Sequence, residues 1–378
     1  MKRVVLLAAM VLLSVPAWAQ QGSSQSLSEG VIAVAPASRS GVILADAAGA
    51  DLGRPGAEQA RTPSARGSGS MRRPSMVGYI EDSTIGTGLR LRFDSARHIT
   101  APDRAEFFYS KCGCYAGLPR NLAVYDPDAP GFPSAIMTDT NAQHLYILGE
   151  YGFMQNRASV FGELPVRWLK PQTYISTGGI FDDQSGISDL RLGAKFGLMA
   201  TDRGQATVLL RFSLPTGDAA KGLGTDHASF EPALVVSNAL NDKVGLEAQF
   251  GAVLPTGGSA GLPTSSPDKF SGQVLYYGIG PSFDVYSSST VRFAPVVELV
   301  GWRVLSGFQT GNPDLLTGPD TGFAKAKDVA PNIVNIKVGA RLIMRDAASI
   351  YVGYGKHLTD AAWYDDIFRI EYRVGFGR

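Results

Sequence analysis

The sequence predicts an all-β protein, a transmembrane antiparallel up-and-down β-barrel of about twelve strands, and three observations predict it. Segments of about ten residues alternate apolar and polar side chains. The links between them are short and long in turn. No run of about 18 apolar residues occurs after the N-terminal region, so a membrane form must cross with strands rather than helices.

Residues 1–19, MKRVVLLAAMVLLSVPAWA, have a basic start (Lys2, Arg3), an apolar run from Val4 to Val15, a helix-breaking Pro16 and an Ala17-Trp18-Ala19 ending. This is the pattern of a secretory signal peptide, with cleavage expected after Ala19. An uncleaved anchor is the competing reading. No cysteine follows the cleavage site, which speaks against a lipoprotein.

Residues 20–75 are rich in Gly, Ala, Ser, Pro and Arg, with one mildly apolar patch from Val31 to Pro36. Such a stretch reads as a disordered, low-complexity periplasmic leader. A plug inside the barrel is the alternative. The barrel is then expected over 76–378. Cys112 and Cys114, parted by Gly113, suggest a loop pair or a strained disulfide, and they bring too few nearby ligands for a metal.

The alternation begins in GLRLRFDSAR, where Leu89, Leu91 and Phe93 oppose Arg90, Arg92 and Asp94. Leu145 and Ile147 oppose His144, Tyr146 and Glu150; Val160, Leu164, Val166 and Trp168 oppose Ser159, Glu163 and Arg167. The same dyad recurs over 189–198, 207–214, 231–237, 244–252, 291–299, 334–342, 350–354 and 368–376. Only 270–286 has no clear phase. Short links are expected at Met154–Asn156, Ala200–Gly204, Asn241–Asp242, Ser287–Thr290 and Arg345–Ser349, with long ones between them. Short periplasmic turns alternating with long outer loops characterise Gram-negative bacterial barrels. A soluble sandwich also alternates, but the arginines and glutamates in nearly every strand, the export signal and aromatics near strand ends (Phe153, Trp168, Phe230, Tyr354, Phe376) favour the outer membrane.

SDLRLGAKF (Ser188–Phe196), SLPTGD (Ser213–Asp218), GLGT (Gly222–Thr225) and a second LPTG (Leu254–Gly257) resemble an outer-membrane family linked to the MetA pathway of phenol degradation. The resemblance covers roughly the C-terminal half. It implies a porin-like transporter, with uptake of aromatic or apolar compounds, and carries over no catalytic residue. The Pro-Thr-Gly pieces read locally as strand terminators. The ending Phe376-Gly377-Arg378 departs from barrels that end on the aromatic, which bears on recognition by the barrel assembly machinery.

With the apolar faces turned to lipid, the expected lumen lining is Arg90, Arg92, Arg167, Arg191, Lys195, Arg211, Lys337, Arg341, Arg369 and Arg373 against Asp94, Glu150, Glu163, Asp189, Glu231, Glu247, Glu298 and Glu371. The cations are in slight excess, which favours anions in a water-filled pore, while inward Phe161, Leu209 and Val235 suit a partly apolar solute. Mixed charges can also pair across a closed lumen.

The expected function is therefore a channel or passive transporter for a small solute, with a closed structural or adhesive barrel as the alternative. A hydrolase built on His227-Ala228-Ser229, with Asn238 as a loose orienting group, is the weakest reading. Asp182-Asp183 and Asp365-Asp366 fall in expected outer loops, where they suit solvation or ions bridging lipopolysaccharide. No enzyme activity, cofactor or resident metal is expected. The formal net charge of +1 gives no reason to expect a nucleic-acid partner; outer-membrane lipid and lipopolysaccharide are expected instead.

Overall fold

The computed structural model describes residues 74–100, 120–121, 135–176, 182–256, 271–310, 323–325, 328, 331–344 and 348–376. Its strands are β1 (Thr87–Ile99), β2 (Ala135–Phe153), β3 (Ala158–Ser176), β4 (Gln184–Ile187), β5 (Leu190–Ala200), β6 (Gly204–Leu214), β7 (Ala228–Ala239), β8 (Val244–Thr256), β9 (Val274–Phe283) and β10 (Tyr286–Ser287). They continue with β11 (Val291–Val304), β12 (Phe308–Thr310), β13 (Phe323–Lys325), β14 (Asn332–Met344), β15 (Ala348–His357) and β16 (Asp366–Phe376). Twelve of these form the wall, each hydrogen-bonded antiparallel to its neighbours. The seam closes between β1 and β16, from Thr87 opposite Phe376 to Arg97 opposite Asp366.

The remaining four strands are short. β4 pairs the upper part of β3 as a forward extension of β5, β10 pairs the start of β11, and β12 and β13 make a separate hairpin. β2 and β3 run 19 residues each, well past the ends expected for them at 144 and 168. The unphased stretch holds β9. The CGC pair, residues 1–73 and the second LPTG beyond Thr256 lie outside the described residues.

Five short turns join β2 to β3, β5 to β6, β7 to β8, β9 through β10 to β11, and β14 to β15. At the first of them Met154, Gln155 and Asn156 all take left-handed backbone, with φ between 52° and 59°. The strand start at Thr87 and the strand end at Phe376 lie at this same end.

The outer face is apolar. Leu91, Ile147, Val160, Leu192, Phe212, Leu234, Phe250, Ile279, Leu299, Val338, Val352 and Ile370 are all exposed. Phe153, Tyr354 and Phe376 are exposed near strand ends, and Phe230 stacks on Phe212 at 4.8 Å. The opposite face of the same strands carries the buried charges. A closed barrel with apolar side chains outside and charges inside is inverted relative to a soluble protein, and lipid is the solvent that suits it. Leu234→Arg, half-way along β7, is expected to destabilise the protein in lipid by about 2–4 kcal/mol. Denaturant unfolding in phospholipid vesicles measures this, and a change near zero contradicts the lipid-facing assignment of β7.

Large inward rings lie over glycines on the same or neighbouring strands. A side chain at Gly339 or Gly353 would overlap the Tyr351 ring, one at Gly193 would meet Phe161, and one at Gly251 would meet Tyr276. The interior is thus filled partly from the wall.

Candidate functional site

A strap fills much of the rest. Pro74–Gly86, straddling the expected leader–barrel boundary, is not strand; it enters beside the short turns, where Pro74 lies near Thr201–Gln205 and Arg292. It rises to an apex around Gly78–Glu81, where the Tyr79 hydroxyl lies 3.4 Å from the Ile367 carbonyl at the far end of β16, and descends to Thr87. Met76, Val77 and Ile80 pack with Ala294, Val296, Val300, Ile343 and Tyr351 of the wall.

Residues at the apex cannot bond one another as a strand would, so wall side chains satisfy their backbone groups. Glu298 accepts from Gly78 N at 2.9 Å, Tyr79 N at 2.8 Å, Ile80 N at 2.8 Å and Tyr351 Oη at 3.1 Å. Glu247 accepts from Met76 N at 2.7 Å and Gln249 from Glu81 N at 2.8 Å. Arg341 donates to the carbonyls of Met76 and Val77, Arg369 to that of Gly78 and Lys195 to that of Thr84. Two strap carboxylates complete the set: Asp82 meets Arg373 at 2.8 Å, and Glu81 takes a short contact from Arg211.

The other inward charges pair along and across the wall. Glu163 gathers Arg191 at 3.0 Å, Arg90 at 3.3 Å and Arg92 at 3.9 Å. Lys195 bonds Glu150 at 2.9 Å, Arg211 bonds Glu231 at 3.1 Å, and Arg369 takes both oxygens of Asp94 at 2.6 and 2.7 Å. Glu371 lies between Arg341 at 2.6 Å and Arg373 at 2.7 Å. Lys337 donates to Tyr364 Oη at 2.6 Å and sits over the Tyr79 ring.

Two of the inward charges serve a loop. Asp189 accepts from Gly217 N, Thr225 N and Thr225 Oγ1 at 2.7–3.0 Å, while Thr216 Oγ1 accepts from Leu190 N at 2.9 Å. Arg167 donates to the Gly222 carbonyl and to His144 Nε2. The three motif pieces SDL, PTGD and GLGT therefore form one staple holding the loop 215–227. Leu223 of that loop reaches Ala96, Ile99, Ala142, Leu169 and Ile367 on the inner face of β1, β2, β3 and β16.

One side of the half nearer the long loops is apolar. Val274, Val304, Ile333 and Trp363 form one cluster with Val253 and Trp302, and the two indoles lie 4.6 Å apart. At the short-turn end a cleft opens beside the strap, lined among others by Asp82, Arg90, Glu150, Lys195 and Arg373.

The hydrolase reading loses its geometry. His227 Nδ1 donates to the Thr225 carbonyl at 2.7 Å and lies 3.2 Å from Ser271 Oγ, so its ring is taken up by the loop. Burial holds this imidazole below its ordinary pKa. Asn238 pairs with Gly204 and Leu246 at the opposite end of β7, so it cannot orient His227. Asp366 bonds Arg97 and Asp365 faces His357, and among the described residues no group of three His, Cys, Asp or Glu side chains is arranged to hold a metal.

What sequence reasoning missed is the strap, with Tyr79, Glu81 and Asp82, and the inward aromatics Tyr276, Trp302, Trp363 and Tyr364. The signal available was the cationic excess of the wall beside an acidic, apolar segment directly before β1.

A closed twelve-stranded barrel with an apolar exterior and an ion-paired interior defines an outer-membrane β-barrel. Residues 144–285 match the family described as "Putative MetA-pathway of phenol degradation". Among solved structures, an outer membrane channel from Pseudomonas putida F1 aligns with a TM-score of 0.45 at 13% identity, over 79% of this chain and 99% of that one. The NanC porin aligns at 0.39 and 9% identity over 77% and 100%, and the CymD monoaromatic hydrocarbon channel at 0.35 and 10% over 78% and 90%. No curated protein matches the chain.

Proposed function

We propose that the protein is a passive outer-membrane channel for a small solute with an apolar or aromatic body, held closed in this state by the strap. The observation that carries this reading is the apolar patch on the inner face of β8, β9, β11 and β14 in the long-loop half, where Val253, Val274, Trp302, Val304 and Ile333 face inward. Such a surface gives an apolar solute a place to leave water, while the charged girdle below it discriminates between solutes by sign and pairing. In this reading the inward charges from Arg90 to Arg373 line the path, and opening requires the strap to withdraw toward the short turns from which it enters.

A closed structural barrel is the second reading, favoured by the strap's many bonds to the wall. Single-channel recording of the refolded mature protein in a planar bilayer separates the two. Rare, brief openings are expected from the parent protein, with altered current when an aromatic solute such as toluene is added. Silence from a verifiably folded barrel, persisting after the strap has been loosened by substitution, leaves only the structural reading.

A further inference from the structure

Glu81 occupies a site that is more elaborate than one ion pair. Its carboxylate contacts Arg211, and its second oxygen lies 3.9 Å from Arg90 Nη1. Arg211 also bonds Glu231 at 3.1 Å, yet its Nε, like that of Arg90, is buried without a hydrogen-bond partner among the described residues. Donors are therefore left over around a single strap carboxylate.

An apolar wall adjoins them. Leu209 lies two residues from Arg211 on the same face of β6, opposite Ala233, and both pack with Leu148, Phe161 and Tyr276. The Tyr276 hydroxyl is buried and has no hydrogen-bond partner among the described residues. Guanidinium forks beside an aromatic, apolar surface with a spare hydroxyl suit a carboxylate attached to an apolar ring.

Charge balance points the same way. The inward wall residues from Arg90 to Arg373 number two more cations than anions, and Glu81 and Asp82 are the only ionisable carboxylates of Pro74–Gly86. A lumen without its strap is left cationic.

We infer that Arg211 and Arg90 form a carboxylate-binding site in the lumen, that Glu81 fills it as an internal stand-in, and that an organic carboxylate with an apolar or aromatic body takes it when the strap leaves. This rests on the channel reading for its physiological meaning, but binding can be read without conduction.

Benzoate is the probe and benzyl alcohol its uncharged counterpart, titrated calorimetrically into the refolded full chain in detergent. Glu81→Gln, which vacates the charge, is expected to bind benzoate at least about tenfold more tightly than the parent, with benzyl alcohol unchanged. The pair Glu81→Gln with Arg211→Gln removes one charge of each sign and is expected to lose that gain. Folding is checked by heat-modifiable gel mobility; if the double variant does not fold, Glu81→Gln with Arg211→Lys, which keeps charge but not the fork, is expected to weaken benzoate binding. Equal benzoate affinity in the parent, Glu81→Gln and the Arg211 variants overturns the site. Arg211-dependent binding in a barrel that never conducts leaves the site standing and removes the channel reading; conduction with no Arg211-dependent binding does the reverse.

Discussion

Glu298→Ala is expected to undock the strap and to convert rare openings into frequent ones. Glu298 is wholly buried and is the acceptor for three consecutive backbone N–H groups at the apex and for the Tyr351 hydroxyl. Hydrogen bonds to an ionised acceptor contribute about 1.5–3 kcal/mol each, and buried N–H groups left without one cost about 1–3 kcal/mol. The effects do not add fully, because water entering from the short-turn cleft takes over part of the set. A shift of at least about a hundredfold toward the undocked state remains the expectation. Two measurements check it: limited proteolysis of the strap in the refolded protein, and open probability in a bilayer. Glu298→Gln, which keeps one acceptor and turns an amide donor toward the strap, is expected to fall between the parent and Ala. A strap as protected in Glu298→Ala as in the parent, with unchanged conductance, contradicts this account of closure.

Arg341→Ala is expected to destabilise the whole protein by about 3–5 kcal/mol, the usual consequence of removing one member of a buried pair. Its guanidinium is entirely buried and reaches four groups at once: the carbonyls of Met76 and Val77, Ser349 Oγ and Glu371 Oε1. Deletion leaves Glu371 with Arg373 as its remaining close partner, takes the donor from the Met76 carbonyl and leaves the Val77 carbonyl with only the longer bond from Arg373 at 3.3 Å. Arg341→Lys restores the charge but not the fork that spans strap and wall, so only part of the loss is recovered. Denaturant unfolding in lipid, followed by tryptophan emission, gives the number. A loss below about 1 kcal/mol shows that the strap and Glu371 find other partners.

The wall was legible because a tilted membrane strand must alternate, and residues such as Arg90, Glu163, Lys195 and Glu371 mark the inward face whatever their partners are. The ends of β2 and β3 were not legible. Their upper segments, including Thr138–Asn141 and Lys170–Thr173, are polar on both faces, so no dyad signals that pairing continues there. The interruptions that set off β4 and β10 leave no trace either, since a break in a ladder depends on the neighbouring strand.

The strap was hidden for a different reason. Met76, Val77, Tyr79, Ile80 and Ile85 follow no period because the segment is held by wall side chains rather than by a neighbouring strand, with partners such as Glu247 lying 171 residues away. Inward charge could be assigned from phase, but pairing could not. Arg167 and Asp189 read as two more lumen charges, whereas both hold the loop 215–227, and only a three-dimensional arrangement brings Ser188, Thr216, Gly217 and Thr225 together. The His227–Ser229 spacing shows the converse, a short pattern whose third member lies at the far end of the strand.

The direct join between the strap and β1 at Thr87 makes the strap a tethered competitor. A ligand held on a short linker faces its own site at an effective concentration of order millimolar, however dilute the protein is. A solute that uses the same groups must therefore outbid an occupant that never diffuses away. Its apparent affinity falls by the fraction of time for which the lumen is vacant. In the proposed channel, weakening one strap bond thus raises the response to every such solute at once, without altering any group that touches it, and the concentration at which material would begin to pass is written in the strap as much as in the wall.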